Sequence, residues 1–528
     1  MDDVEEGDRG LEGGDGSKGG DGEPPEGGDA GDDGNGRGEG DEPTNGGTYD
    51  RTLRVPLPGP TGPWTHRMGL APTVDGLPYP YRPHDVLTTE GRAALEIARR
   101  VFPDAELTLD DATVGPPEME FFRLTGVPDP FLLIDALKGR GIQAQVNHVY
   151  FTHSLQGNPV YGSPVYGSPV YGSPVYGSPV YGSPVYGSPV YGSAAQGGGA
   201  AAPQVVGFGI PPQPNIPYGT EVFGRKSDNS VHPEPNRSSA LPKPPRTQPD
   251  HLHDRIHTPE RPDSPEVFVL DTGLAADFFC PDAIQGTGIR PATPQDVDQP
   301  SAHVSNQGYL EPAAGHGTFI AGVITQIAPG CRVTVHAVLS TFGDGDEWVL
   351  ADRINHLNPV DPGRAILNCS FGGYVLDAPL LMTTTIRHIQ RSGVQVVASA
   401  GNDATSTPSY PAALPGVLAV GALSPTGPAY FTNYGPWVEA CAPGYDLLST
   451  FFRNFNGPAP VGPYGEDPDD FDGWAVWSGT SFAGPVVVGN LARLLMHDGG
   501  DTKQALDRLI NNFSLTVIPN LGTIVDFM

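Results

Sequence analysis

Short apolar runs alternate with helical patterns through the second half of the chain. Strands of a parallel sheet are buried on both faces, so they read as nearly continuous apolar runs. Between these runs, HGTFIAGVITQI (316–327) and PLLMTTTIRHIQRSG (379–393) carry apolar residues at helical spacing. We therefore predict an α/β fold over residues 264–528, a parallel sheet with helices on both faces. The predicted strands are EVFVLD (266–271), VTVHAVLS (333–340), AILNCS (365–370), VQVVASA (394–400) and VLAVGAL (417–423).

Negative charge is concentrated at the start of the chain. The formal net charge is −31, and residues 1–50 alone hold 17 Asp/Glu against 3 Lys/Arg. Nucleic acids and anionic membranes bind basic patches, so we expect neither as a partner. The same segment is rich in Gly and has almost no large apolar side chain, which favours disorder. We predict that residues 1–79 form a disordered, acidic, Gly/Pro-rich tail.

A small folded domain is predicted over residues 80–155. TTEGRAALEIARRVF (88–102) and FLLIDALKGRG (131–141) have helical spacing, whereas EMEFFRLTGV (118–127) and IQAQVNHVYFTH (142–153) resemble strands. Helices and strands in this order and of this length are typical of a small α+β domain.

The pentapeptide PVYGS occurs seven times without interruption, from Pro159 to Ser193. A proline at every fifth position prevents a continuous helix and removes donors from a sheet. We predict a repeat linker over 156–203, followed by a Pro-rich linker over 204–263. Three interpretations stay open for the repeats: a flexible spacer, an array of Tyr side chains that binds a partner multivalently, or a substrate that is cut out of the chain.

Targeting and metal-binding signals are weak in this sequence. We find neither an apolar stretch of membrane-spanning length nor the basic and apolar regions of a secretory signal. A cytoplasmic location is therefore the default expectation, with export without a leader left open. The four cysteines lack CxxC spacing and favour buried thiols. His251, His253 and His257 lie in a polar linker without supporting carboxylates, so we predict no metal site and no cofactor.

Three short motifs carry residues that can perform chemistry. Asp271 ends an apolar strand in VFVLDTGL, His316 opens a helix in GHGTFIAG, and Ser481 begins an apolar helix in SGTSFAGP. Each residue alone has a structural explanation, as a turn cap, a first helical residue or a helix cap. When the three motifs occur together in this order, a shared chemical role is a further explanation.

Asp-Thr-Gly, His-Gly-Thr and Gly-Thr-Ser followed by Pro485 resemble the three active-site signatures of the subtilases. The resemblance extends from Glu266 to His497. It implies a serine endopeptidase in which Ser481 is the nucleophile, His316 the general base and Asp271 the group that orients the imidazole.

Two further segments are similar to subtilase elements. SAGND (399–403) resembles the segment whose Asn stabilises the oxyanion, which implies that role for Asn402. NCSFGG (368–373) is similar to the substrate-binding strand, which implies that Ser370, Phe371 and Gly372 pair with an extended peptide. A buried strand that ends in a glycine turn is the alternative for this second segment.

The resemblance implies a peptide or protein substrate. It also suggests that residues 80–155, which are similar in size and pattern to a subtilase propeptide, inhibit the enzyme intramolecularly and are cut off by it. Two other functions stay open: a catalytically idle, peptide-binding scaffold with the same fold, and a maturation protease whose own PVYGS repeats are the released product.

Overall fold

The protein is described here from a computed structural model. The structure describes residues 80–153, 255–275, 287–298, 313–375, 378–453, 473–511 and 516–526, together with the backbone of short strands outside these ranges. The acidic segment 1–50, the PVYGS repeats and most of the Pro-rich linker lie outside the described residues, so the predictions made for them stay predictions.

A largely parallel sheet forms the centre of the second half of the chain. Its strands follow the spatial order β10-β12-β8-β14-β16-β17-β19-β27-β26, and every neighbouring pair except the last is parallel. The strands are β8 (Glu266–Asp271), β10 (Ile289–Pro291), β12 (Arg332–Ala337), β14 (Ala365–Cys369), β16 (Gln395–Ser399), β17 (Leu418–Ser424), β19 (Ala440–Pro443), β26 (Val517–Ile518) and β27 (Gly522–Ile524).

Helices cover both faces of this sheet. Val267 and Val269 of β8 pack in one apolar core with helices α3 (His316–Ile327) and α6 (Thr480–Asp498). Phe268 and Leu270, which point to the opposite face, pack with α4 (Glu347–Asn355) and α5 (Leu380–Ser392). Helix α7 (Thr502–Ile510) packs beside α6. This arrangement confirms the predicted α/β fold.

The N-terminal part contains an antiparallel sheet and two helices, α1 (Gly91–Val101) and α2 (Pro130–Lys138). Strands β4, β5, β3 and β6 are neighbours in that order, and β1 and β2 extend the sheet beside β3. The domain boundary predicted at residue 80 stays a prediction, although β1 and β2 lie upstream of it. The strand bounds are β1 (Thr52–Arg54), β2 (Arg67–Pro72), β3 (Pro78–Thr88), β4 (Thr108–Val114), β5 (Phe121–Thr125) and β6 (Ala144–Thr152).

Strand β6 joins the N-terminal domain to the larger, C-terminal part of the chain. Its first half pairs with β3 of its own domain, whereas its last residues pair with β13 (Asp344–Asp346) and β15 (Phe371–Gly372), both antiparallel. The final residues of the N-terminal domain therefore lie in a cleft between two strands of the larger part.

Short strands and one turn of 3-10 helix (Pro362–Arg364) complete the described secondary structure. In the described ranges, no helix is both long and apolar enough to cross a membrane. The remaining strands are β7 (Phe223–Gly224), β9 (Leu274–Ala275), β11 (Val297–Asp298), β18 (Gly427–Pro428), β20 (Leu447–Thr450), β21 (Phe455–Asn456), β22 (Val461–Gly462), β23 (Gly465–Glu466), β24 (Asp470–Phe471) and β25 (Trp474–Trp477).

Candidate active site

Asp271 and His316 form a buried pair at the carboxyl edge of the sheet. Asp271 is the last residue of β8 and His316 the first of α3, and both side chains are fully buried. The distance from His316 Nδ1 to Asp271 Oδ1 is 2.7 Å. The backbone N–H of Thr272 donates to the same oxygen at 2.8 Å. The carboxylate is thus placed to hold Nδ1 as the protonated ring nitrogen.

A glycine allows α3 to begin beside Asp271. Gly315 precedes the helix with φ of 82°, in the left-handed region that favours glycine, and a Cβ there would lie 2.2 Å from the Phe451 ring. The sequence GHG therefore provides both the turn and the space that bring His316 to the strand end.

Aromatic rings surround the His316 imidazole. The centroid of the Phe482 ring lies 5.2 Å away and that of Trp477 5.5 Å away. Phe319 packs on Phe482 at 4.5 Å. His316 Nε2 is buried and has no hydrogen-bond partner within the described part of the chain. The nitrogen that would act as a base is thereby shielded from water.

Ser481 lies in the first turn of α6 and is fully buried. Its Oγ donates to the carbonyl oxygen of Ser370 at 2.9 Å rather than to His316. Ser370 Oγ in turn donates to the Ser481 carbonyl at 2.8 Å. These two bonds fix the start of α6 against the end of β14, in a conformation where the Ser481 hydroxyl is turned away from the base.

Asn402 follows β16 and faces the first turn of α6. Its Oδ1 accepts hydrogen bonds from the backbone N–H of Thr480 at 3.0 Å and from the Thr480 hydroxyl at 2.9 Å. This fixes the orientation of the amide, because only oxygen can accept both. Its Nδ2 then donates to the carbonyl oxygen of His153 at 2.5 Å, and the backbone N–H of Ser481 donates to the same oxygen at 3.1 Å.

The backbone of residues 151–153 is held in the cleft from both sides. Phe371 pairs with Thr152 and Gly372 with Phe151, and the N–H of His153 donates to the carbonyl of Ser370 at 3.2 Å. On the opposite side, the N–H of Thr152 donates to the carbonyl of Gly343 at 2.9 Å. Ser370, Phe371 and Gly372 thus lie beside an extended segment of the same chain.

The His153 side chain enters a closed pocket next to the site. Its Nδ1 lies 2.8 Å from Ser399 Oγ and 3.2 Å from the Ser399 carbonyl oxygen. Burial is the main cause that lowers the pKa of His153 to about 3; the hydrogen bond to the Ser399 carbonyl opposes this shift, and the positive charge of a protonated His316 contributes to it. The ring is therefore neutral when it occupies this pocket.

Buried polar contacts anchor the N-terminal domain beside the cleft. The carboxylate of Glu347, at the start of α4, accepts from Gln145 Nε2 at 2.7 Å and contacts His148 Nδ1 at 2.6 Å. Its other oxygen accepts from the backbone N–H of Met382 at 2.7 Å. Arg82 forms ion pairs with Asp344 and Asp346 of β13. The contacts of Gln145, His148 and Arg82 join strands β3 and β6 to the larger part of the chain.

The sequence predicts the four polar side chains at the strand and helix ends but not several of the residues around them. His153 was predicted only as the last residue of a strand, and Ser399, Glu347 and Gln145 were given no role. A lone histidine or serine carries no local signal, since its importance depends on a contact with a distant segment. The described residues contain no group of three or more His, Cys, Asp or Glu side chains that could hold a metal ion.

Part of this chain is similar to known proteins. Residues 263–519 match the model of the Subtilase family. A thermophilic serine proteinase of Bacillus sp. (strain AK1) is 31% identical over 265 residues, which are 48% of this chain and 57% of the relative. Thermitase of Thermoactinomyces vulgaris is 27% identical over 46% of this chain and 83% of its own length.

A solved structure of a cold adapted subtilisin-like serine proteinase aligns with a TM-score of 0.37 and 21% identity, over 53% of this chain and 98% of that one. The chain spans between 26% and 57% of the length of the first three relatives that it matches. Residues 263–519 of this chain are thus similar to the subtilase family.

Proposed function

We propose that this protein is a serine endopeptidase that uses Asp271, His316 and Ser481 as its catalytic residues. The observation that carries the proposal is the position of the His153 carbonyl, whose oxygen accepts hydrogen bonds from Asn402 Nδ2 and the Ser481 N–H. Two donors on one carbonyl oxygen, beside a serine hydroxyl, are what an acyl-transfer enzyme needs to stabilise the oxyanion.

The first step is activation of Ser481. Asp271 holds the proton of His316 on Nδ1, so Nε2 is the ring nitrogen that accepts a proton. A rotation of the Ser481 side chain from the Ser370 carbonyl toward Nε2 brings hydroxyl and base together. Catalytic hydrogen bonds are commonly long or misaligned before the reactive complex forms, so the orientation of Ser481 is compatible with this role.

The second step is stabilisation of the charge on the carbonyl oxygen. When Ser481 attacks, the negative oxygen is held by Asn402 and by the N–H at the start of α6, where the helix dipole also favours negative charge. His316 then carries a positive charge next to the buried Asp271 carboxylate, which compensates it. The aromatic rings around His316 exclude water and strengthen these interactions.

We also propose that the N-terminal domain inhibits the enzyme in cis and is then cut off. Its last strand fills the cleft between β13 and β15 as a peptide substrate would, and Glu347 and the Arg82 ion pairs hold it there. A substrate from solution cannot enter the cleft while this strand is bound.

Intact-mass analysis of the purified full chain tests the proposal. Wild type is expected to give two fragments, whereas Ser481→Ala is expected to stay full length. Ser424→Ala serves as a matched control, since Ser424 is the last residue of β17 and its hydroxyl bonds, among the described residues, only to Thr426 and Gly427 of the adjoining hairpin. Identical full-length masses for wild type and Ser481→Ala would refute autoprocessing.

The other interpretations made from the sequence stay predictions. A peptide-binding scaffold without activity would bind peptides in the same cleft but hydrolyse none of them. A maturation protease would release fragments with ends inside residues 159–193, which mass analysis of the same samples would detect.

A further inference from the structure

The contacts of the His153 carbonyl identify one bond of the chain. A carbonyl that accepts from both Asn402 and the Ser481 N–H belongs to the residue on the acyl side of the bond to be cut. The same residue donates its N–H to the Ser370 carbonyl, which also accepts from the Ser481 hydroxyl. The bond that this register presents to Ser481 is therefore the one between His153 and Ser154.

The pocket that receives the His153 side chain fits an imidazole by shape. A Cβ on Gly372 would lie 2.4 Å from His153 Cε1 and 2.9 Å from Nε2, so only a glycine leaves room for the ring. The Cβ position on Gly372 would also lie 2.6 Å from Ser409 Oγ, so Ser409 and the Cε1–Nε2 edge of the ring border the same small space. The histidine is 5% exposed in this position.

The polar atoms of the pocket fit an imidazole by chemistry. Ser399 offers Nδ1 a hydroxyl that can donate or accept and a carbonyl that accepts, which suits either neutral tautomer. The Ser409 hydroxyl is buried and makes no hydrogen bond within the described residues. The His153 ring in this position does not bond to it, so Ser399 is the residue whose polar groups distinguish an imidazole from an apolar side chain.

The charges around the pocket disfavour a cationic side chain. His316 of α3 is the titratable group that acts on His153, and its protonation opposes a second positive charge. Strands β15 and β16 contain no titratable side chain. Burial lowers the pKa of His153 far below its ordinary value, so a group that keeps its charge, such as that of Lys or Arg, would enter the pocket at a high desolvation cost.

We infer that the endopeptidase selects histidine on the acyl side of the cleaved bond, with Ser399 as a specificity-determining residue, and that it cuts its own chain between His153 and Ser154. The inference rests on the proposed function. According to this inference the PVYGS repeats remain with the peptidase fragment, because residues 154–528 stay together after the cut.

The reaction at this bond balances without a cofactor. Ser481 Oγ forms a bond to the His153 carbonyl carbon, and His316 accepts the hydroxyl proton. The bond to the Ser154 nitrogen breaks as His316 donates the proton to it. Water then attacks the ester, which releases the His153 carboxylate and restores the Ser481 hydroxyl.

Two measurements on the full chain test this inference. First, N-terminal sequencing of the processed wild-type protein is expected to begin at Ser154, and His153→Lys is expected to slow that cut at least a hundredfold. Second, the processed enzyme is assayed on peptides with the sequence of residues 148–153 before the cut, ending in His, Phe or Lys. We expect kcat/KM to be at least tenfold higher for His than for Phe, and lowest for Lys.

Ser399→Ala separates specificity from general damage. Loss of one hydrogen bond is expected to lower kcat/KM about tenfold for the His peptide relative to the Phe peptide. An equal change for both peptides, or a first cut at another bond by an enzyme that a fluorophosphonate labels at Ser481, would overturn the inference alone. Absence of both labelling and cleavage would overturn the proposed function, and the inference with it.

Discussion

Gln145 is the residue of the N-terminal domain whose loss should weaken inhibition most selectively. Its Oε1 accepts from the backbone N–H groups of Leu380 at 2.6 Å and Leu381 at 3.2 Å, and its Nε2 donates to Glu347. Helix α5 begins after Pro379, which provides no side-chain cap. Gln145 therefore caps a helix of the peptidase part from the N-terminal domain.

The expected weakening of the complex follows from the two contacts that Gln145→Ala removes, the helix cap and the hydrogen bond to Glu347. A lost helix cap costs about 1 kcal/mol, and a lost hydrogen bond to a charged group about 2 kcal/mol. The sum of about 3 kcal/mol corresponds to a roughly 150-fold weaker complex between the cut N-terminal fragment and the enzyme. Gln145→Ala should produce this change without altering kcat on a short peptide, because Gln145 leaves with the fragment.

The assay measures peptide hydrolysis by the processed full-chain protein over a dilution series. Dissociation of the cut fragment restores activity, so the concentration of half-maximal specific activity gives the Kd of the complex. Gln143→Ala is the matched control, because Gln143 precedes the same strand and its side chain is exposed. A Kd change below about fivefold for Gln145→Ala, or an equal change for both variants, would refute the capping argument.

Further predictions concern the site and its support. Asn402→Ala should lower kcat by about 100- to 1,000-fold with little change in KM; a loss under tenfold in steady-state kinetics would contradict its role. The bound His153 ring is neutral, with a pKa of about 3, whereas a histidine exposed to water has a pKa of about 6.5. Below about pH 6.5 the free ring takes up a proton that it must lose to bind, so inhibition is complete above that pH and weaker below it. The Kd of the cut complex should thus rise as the pH falls below about 6.5, and His153→Phe, which does not titrate, should lack this His153-dependent rise. Gly315→Ala forces a side chain into a left-handed φ and against the Phe451 ring, so the free energy of unfolding should fall by at least about 2 kcal/mol; an unchanged thermal midpoint would contradict this.

The central sheet could be predicted from the sequence because buried parallel strands are contiguous apolar runs. Strand β8 coincides with the predicted 266–271, and α3 coincides with the predicted 316–327. Strand β4 was missed, since TLDDATV contains two aspartates and is half exposed at the edge of its sheet. Asp344–Asp346 was also missed, because the sequence DGD is typical of a turn and becomes a strand here through its pairing with β6.

The residues of the site also fall into two groups, those that local sequence motifs predict and those whose contacts join distant segments of the chain. Asp271, His316, Ser481 and Asn402 lie in motifs whose neighbouring glycines and helix starts determine their positions, so the sequence predicts the strand or helix end at which each lies. The contacts of His153 with Ser399 link residues 246 positions apart, and no local sequence pattern predicts them. The orientation of the Ser481 hydroxyl toward the Ser370 carbonyl likewise depends on packing between α6 and β14.

Fluorophosphonate labelling mapped by peptide mass spectrometry tests the central claim most directly. The reagent forms a stable bond only with a serine that a neighbouring base activates. Processed wild-type protein is expected to be labelled at Ser481, and both His316→Ala and Ser481→Ala are expected to be unlabelled at pH values where the wild type reacts. Labelling at another serine, or labelling of Ser481 that persists in His316→Ala, would contradict the account.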